Sequence, residues 1–225
     1  MGIAVDRMIR DHMKAISKMR KAKVSDRCIY KKDGPYFWCI TIREYSSLRY
    51  MVSVKIKPWS YDEFLNSITH PGENIRFTDS LRWQGFSAMS MYEISKDYYP
   101  HPPKDSCGEV DDAALHDWCK VIFDEATSIL DRFCERIANE YGSLNEFHIK
   151  NAENDILLAA FASVSCGDYL VAEQLLVKAQ QENCVFNRSY GSLSRDLRDV
   201  LLDYCNASQC GKKWTREMVI HGLRD

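Results

Sequence analysis

The sequence contains few glycines and prolines, 10 and 6 among its 225 residues, so it lacks the composition of a disordered or collagen-like chain. A long apolar run is also missing, because the longest near-apolar stretch, residues 156–164, is about half the roughly 18 residues that a membrane span needs. Charge of one sign is absent, since 30 basic residues oppose 32 acidic ones. The net charge of −2 excludes a general attraction of the chain to nucleic acid or to a lipid surface.

Paired cysteine motifs are missing as well. The nine cysteines are scattered without a C-x-x-C, and an odd number argues against a disulfide framework. We interpret them as reduced thiols, most of them buried as small apolar side chains. Charged residues begin at Asp6 and Arg7, so no signal-peptide core is apparent. We therefore expect a soluble, cytoplasmic protein with no membrane partner.

Short catalytic motifs are also absent. The sequence has no G-x-S-x-G, Walker A, G-x-G-x-x-G or H-E-x-x-H. His116 and Cys119 are three residues apart, but zinc needs three or four converging ligands, so a surface histidine and a cysteine at the edge of the apolar stripe explain this pair better. We expect no cofactor, no metal and no catalytic residue. An enzyme with a site built from loops around His70, His101 and Cys107 remains an alternative.

The first half of the chain is predicted to form a helix and an antiparallel sheet. Apolar residues recur every three or four positions over about Val5–Lys21, which indicates a helix. Alternating and β-branched runs predict four strands, at 27–30, 36–45, 48–57 and 86–94. The third of these strands has one predicted solvent-facing side. Ser60 and Glu63 fit a capping box for a short helix over 61–68, and the proline-rich segment 97–109 indicates a loop.

The second half is predicted to be helical. Asp111 or Asp112 can cap a long helix that Gly142 ends near Tyr141. Ser143 and Glu146 fit a second capping box. Four further helices are expected, at 155–165, 169–182, 194–206 and 215–223, and the first two of them form a helical hairpin. The fold class is therefore α+β, with subdomains at 1–110 and 111–225 that pack as one unit.

Charge divides unevenly between these halves. Residues 1–110 hold 18 basic and 13 acidic residues, a net of +5, whereas residues 111–225 hold 12 and 19, a net of −7. The basic residues of the first helix, such as Arg10 and Lys14, are expected to be solvated or to pair with the acidic half. Carboxylates of the long helix and three aromatic residues outside the predicted strands are candidate partner contacts. They are Asp111, Asp112, Asp117, Asp124 and Asp131, with Trp59, Tyr61 and Trp83.

The helical hairpin is similar to half of a tetratricopeptide-type repeat. Its small residues Ala159 and Ala160 beside Phe161, and the turn Gly167-Asp168-Tyr169, carry this similarity. The further residues that match are Ala172, Leu176 and Ala179. No internal repeat at a fixed period follows, so the chain is not a solenoid.

Over about residues 5–182, the sequence predicts an N-terminal helix, a meander with the turn Lys32-Asp33-Gly34, a long helix and the Gly-Asp-Tyr hairpin. This order of elements resembles bacterial domains of unknown function found among immunity proteins of polymorphic and contact-dependent growth inhibition toxin systems. It implies a protein that binds a folded toxin domain and occludes its active site. An acidic surface would favour capture of a basic, nucleic-acid-degrading toxin. A peptide-binding adaptor that uses the hairpin remains the alternative among binding proteins.

Overall fold

A computed structural model describes residues 2–25, 28–46, 49–73, 91–184 and 195–223. The chain divides into two compact units, each built from two separate stretches of sequence. The first unit comprises Met1–Lys57 and Met91–Arg136, and the second comprises Pro58–Ser90 and Ile137–Asp225. The division therefore does not fall at residue 110, because the long helix belongs with the sheet and residues 58–90 belong with the later helices.

The first unit contains a five-stranded antiparallel meander in the order β1-β2-β3-β4-β5. Its strands are β1 (Lys23–Ser25), β2 (Cys28–Asp33), β3 (Tyr36–Ser46), β4 (Arg49–Pro58) and β5 (Tyr92–Pro100). Gly34 has φ +56° in the turn between β2 and β3, a backbone conformation that suits glycine. The α+β fold class predicted from the sequence is confirmed.

Three details of the predicted sheet require correction. The three-residue β1 was not predicted, and β4 has no fully solvated face, since Met51, Ser53 and Lys57 are buried. The segment from Asp97 was expected to be a loop, but it pairs with β4 as far as Pro100, opposite Arg49. Of the strand predicted over 86–94, residues 86–90 lie outside the described residues.

In its described residues, the first unit has two α-helices that pack against each other, α1 (Gly2–Ser17) and α3 (Asp112–Arg136). Ring contacts place α3 over the side of the sheet that carries Tyr50 and Tyr92, which contact Trp118 and Phe133. Asp111 caps α3 as predicted, because its Oδ1 accepts hydrogen bonds from the N–H groups of residues 113 and 114. The helix continues from Ile137 to Tyr141 as a π-helical turn and ends at Gly142, where φ is +75°.

The second unit consists of helices in the described residues. They are α2 (Ser60–Thr69), α4 (Leu144–Lys150), α5 (Ile156–Cys166), α6 (Tyr169–Gln181), α7 (Leu197–Gln209) and α8 (Arg216–His221). The hairpin of α5 and α6 is confirmed, with Gly167 left-handed at φ +80° between them. The capping box at Ser60 is wrong, because Trp59 holds the N-cap position and no side chain caps the helix.

Helix α5 forms the centre of the second unit. Every side chain from Leu157 to Val164 is buried. Alanines at 159, 160 and 162 let neighbouring helices approach closely. The ring of Phe161 makes edge-to-face contacts with the rings of Tyr61 and Phe64, with distances between ring centroids of 4.9 and 5.5 Å. In the part of the chain that the structure describes, no helix combines the length and apolarity needed to cross a lipid bilayer.

Candidate partner-binding groove

A groove of about 660 Å³ lies on the first unit beside β5 and α3. Three consecutive residues of the strand and five residues of the helix line it. They are Asp97, Tyr98 and Tyr99, with Asp124, Glu125, Ser128, Ile129 and Arg132. The groove therefore combines an edge strand of the sheet with an exposed stripe of the long helix.

Local sequence spacing builds this groove. Glu125, Ile129 and Arg132 are four and three residues apart, so they share one side of α3. Asp97 and Tyr99 are two residues apart on β5 and point to the same side of the sheet. The indole Nε1 of Trp118 donates a hydrogen bond of 3.2 Å to the carbonyl of Pro100, which fixes the end of β5 against the first turns of α3.

A hydrogen bond links the strand and the helix within the groove. The hydroxyl of Tyr99 donates to Oε2 of Glu125 at 2.6 Å. Burial raises the pKa of Tyr99, and the hydrogen bond to the negatively charged Glu125 raises it further. The phenol therefore stays protonated at physiological pH and remains a donor, which holds the Glu125 carboxylate in place.

The groove carries an excess of negative charge. Asp97, Asp124 and Glu125 contribute three carboxylates, against the single guanidinium of Arg132. Lys120 contacts Asp124 at 3.3 Å, but both side chains are more than half exposed, so solvent screens this pair strongly. The surface is suited to a cationic partner, because complementary charge increases the rate of association.

The five carboxylates predicted to contact a partner do not form one surface. Asp111 caps α3, and Asp112 accepts a hydrogen bond of 3.0 Å from Nε2 of His12. Asp131 forms a bidentate pair with Arg20 through bonds of 3.0 and 2.8 Å. Asp117 is exposed on α3. Among the five, Asp124 alone lines the groove.

The three predicted aromatic contacts have different positions. Tyr61 is fully buried against Phe161 in the core of the second unit, so it is unavailable to a partner. Trp59 is half-buried at the start of α2. Trp83 lies outside the described residues.

Sequence reasoning missed every groove residue except Asp124, including Asp97, Tyr99 and Glu125. Asp97 and Tyr99 lie in the segment that the sequence analysis predicts to be a loop. Their spacing of two residues was the sequence signal that could have indicated a strand there. Glu125 adjoins the predicted Asp124 in sequence and faces the strand.

The residues of the alternative enzyme site make separate structural contacts. Nδ1 of His70 lies 2.9 Å from the hydroxyl of Thr69 in the second unit. In the first unit, Nε2 of His101 lies 3.0 Å from the carbonyl of Ser46. Cys107 is an exposed free thiol. His70 therefore lies at the end of α2, and His101 contacts the last residue of β3.

The described residues contain no group of three or more histidine, cysteine, aspartate or glutamate side chains arranged to hold a metal ion. Cys119 is buried, and burial raises the pKa of its thiol to about 12. Nδ1 of His116 contacts Nδ1 of His12 at 3.3 Å. All nine cysteines are free thiols, of which Cys39, Cys119 and Cys205 are buried.

The hairpin does not present the open groove that a peptide-binding adaptor would use along its first helix. Helix α5 is buried from Leu157 to Val164, so it leaves no free face. On α6, Leu170 and Val177 are exposed apolar residues seven positions apart.

In comparisons with protein-family models, curated proteins and solved structures, no match to this chain was found.

Proposed function

We propose that the protein is a cytoplasmic protein-binding module, an immunity protein that neutralises a cognate toxin by covering the toxin's active site. The observation that carries this proposal is the acidic groove between β5 and α3, with three carboxylates against one guanidinium. Enzymes that degrade nucleic acid bind phosphates through lysine and arginine. A surface of opposite charge competes for those cations and shields them from the substrate.

The groove is suited to rapid capture because it is formed before binding. Its walls are a strand and a helix, and the bond from Tyr99 to Glu125 ties them together at 2.6 Å. A rigid surface loses little conformational entropy on association. Charge steering would raise the association rate, and this contribution would weaken as salt screens the field.

The direct test is co-expression of this protein with the toxic product of a neighbouring gene. We expect restored growth and a complex of the two purified proteins on gel filtration. The double variant Asp97→Asn and Glu125→Gln removes two groove charges with little change in shape. It is expected to slow association at low salt by about tenfold and to have a smaller effect at high salt.

Glu135→Gln is the matched control for this variant. Glu135 is exposed on the same helix and does not line the groove, so its loss is expected to leave association unchanged. Absence of both growth rescue and a complex would refute the proposed function. A complex that forms equally fast with the double variant and with the control would refute the assignment of the groove.

A further inference from the structure

We propose that the partner enters this groove as an extended cationic segment, which pairs with the outer edge of β5 as an additional strand. This inference rests on the proposed function and specifies the kind of partner surface that the groove takes. Strand addition to a free sheet edge is a general mode of peptide recognition, in which main-chain hydrogen bonds provide affinity and alternate side chains provide specificity.

The position of β5 supplies the first argument. It pairs with β4 along one edge, from Tyr92 to Pro100, and is the last strand in the sheet order. Within the described residues, no further strand lies beyond it. A terminal strand presents main-chain N–H and C=O groups that another extended chain can bind.

Pro100 indicates which groups point outward. In an antiparallel pair, opposed residues alternate between those that exchange hydrogen bonds and those whose N–H and C=O groups point away from each other. Proline has no N–H, so within sheets it occupies the outward-pointing positions of an edge strand. Pro100 lies opposite Arg49, and the register runs without a shift back to Ser95. Tyr98 and Lys96 therefore share the outward orientation and offer their main-chain groups to an added strand.

The side chains around this edge define the occupant. Asp97 and Tyr99 face α3, where Glu125 and Asp124 line the groove. An added strand places every second side chain toward these carboxylates, so cationic residues are expected at alternate positions. On the opposite side, Tyr98 is 43% exposed, and the centroid of its ring lies 4.9 Å from that of Tyr45, which suits apolar residues at the intervening positions.

Features of the same edge disfavour pairing with a second copy of the chain. The ammonium of Lys96 lies 2.9 Å from Glu93, so the lysine is held by its own strand. A second copy would also bring its own Asp97 and Glu125 against the same carboxylates, and like charges repel.

The experiment uses the full-length protein and a synthetic octapeptide in which lysine and valine alternate. Two peptides serve as controls, one with four lysines followed by four valines, and one with glutamate in place of lysine. We expect the alternating peptide to perturb the amide resonances of Lys96 and Tyr98, and to bind at least about tenfold more tightly than either control. Equal binding of the two lysine peptides, or no perturbation along β5, would overturn the proposal.

A matched pair of variants tests the main-chain contact. Tyr98→Pro removes the outward N–H, whereas Tyr98→Thr removes the same ring but keeps the N–H. The internal ladder is expected to survive both changes, as thermal unfolding would verify. The proline variant is expected to bind the alternating peptide at least about fivefold more weakly than the threonine variant. Equal affinities of the two variants would overturn strand addition. Concentration-dependent dimers on gel filtration that Tyr98→Pro abolishes would also overturn it, in favour of a second copy as occupant.

Failure of this inference is distinguishable from failure of the proposed function. If the protein neutralises a toxin and Tyr98→Pro neutralises it as well as Tyr98→Thr does, the function stands and strand addition is refuted. If no toxin is neutralised but the alternating peptide binds at β5, the docking mode stands and the immunity function is refuted.

Discussion

Folding stability is expected to fall in mild acid because of one buried histidine. His148 lies in α4 of the second unit and is 4% exposed. Burial lowers the pKa of its imidazole to about 3, from an ordinary value of 6.5. The unfolded chain therefore binds a proton below pH 6.5, whereas the folded protein binds it only near pH 3. Stability from the neutral ring is fully present above pH 6.5 and is lost as the pH falls toward 3.

The size of the effect follows from these two values. At pH 5, protonation stabilises the unfolded chain by about 2 kcal/mol, while the folded form remains neutral. This corresponds to a melting temperature that is lower by roughly 4–8 °C for a chain of this length. The result depends little on the folded value, because any folded pKa below about 4 gives nearly the same free energy at pH 5.

The assay is urea denaturation at pH 8 and pH 5, followed by tryptophan fluorescence, for the wild type and for His148→Gln and His148→Leu. Neither replacement titrates, so each variant is expected to lose about 2 kcal/mol less than the wild type between the two pH values. His221→Gln changes an exposed histidine and should retain the wild-type difference. If both His148 variants show the wild-type pH dependence, the buried neutral imidazole is not its source.

Three further predictions concern the core, a helix cap and a turn. Phe161→Ala is expected to cost about 3–5 kcal/mol in urea denaturation, because the ring is fully buried; a loss below about 1 kcal/mol would contradict the assigned packing. Asp111→Ala should lower the free energy of unfolding by about 1 kcal/mol, because it removes the cap of α3. Asp111→Asn keeps an oxygen that can accept the same hydrogen bonds and should retain most of that stability. Equal thermal stability of the two variants would contradict the cap. Gly167→Ala should cost about 1 kcal/mol through backbone strain alone, since φ is +80° and the added carbon meets nothing within 4 Å; unchanged stability would refute this.

The helices were predictable because their signals are local. Gly142 and Gly167 end helices where left-handed backbone is required, and Asp111 is followed directly by the apolar stripe of α3. The strand β1 was not predictable, since three residues are too few to display an alternation. The end of the strand predicted at 27–30 was also placed early, because β2 continues to Asp33.

The groove depended on tertiary pairing and so was only partly predictable. Asp97–Pro100 carries loop-like residues, yet pairing with β4 imposes an extended backbone on it. Local propensity yields to such long-range pairing. The bidentate contact of Asp131 with Arg20 spans 111 positions of sequence, and no spacing within α3 reveals it. The buried Lys57, whose ammonium lies 5.7 Å from the ring centroid of Phe37, likewise contradicts the simple alternation of β4.

The interleaving of the two units has a consequence for synthesis and for truncation. Strands β1 to β4 are synthesised first. Strand β5 and helix α3 follow only after residues Pro58–Ser90, which belong to the second unit. Nascent chains that end before residue 136 therefore expose the edge of β4 and the apolar face of the sheet, which β5 and α3 cover in the complete protein. We expect chaperones to bind such chains. Cutting the gene between residues 90 and 91 would yield two fragments that each lack part of both units, so neither fragment is expected to fold independently.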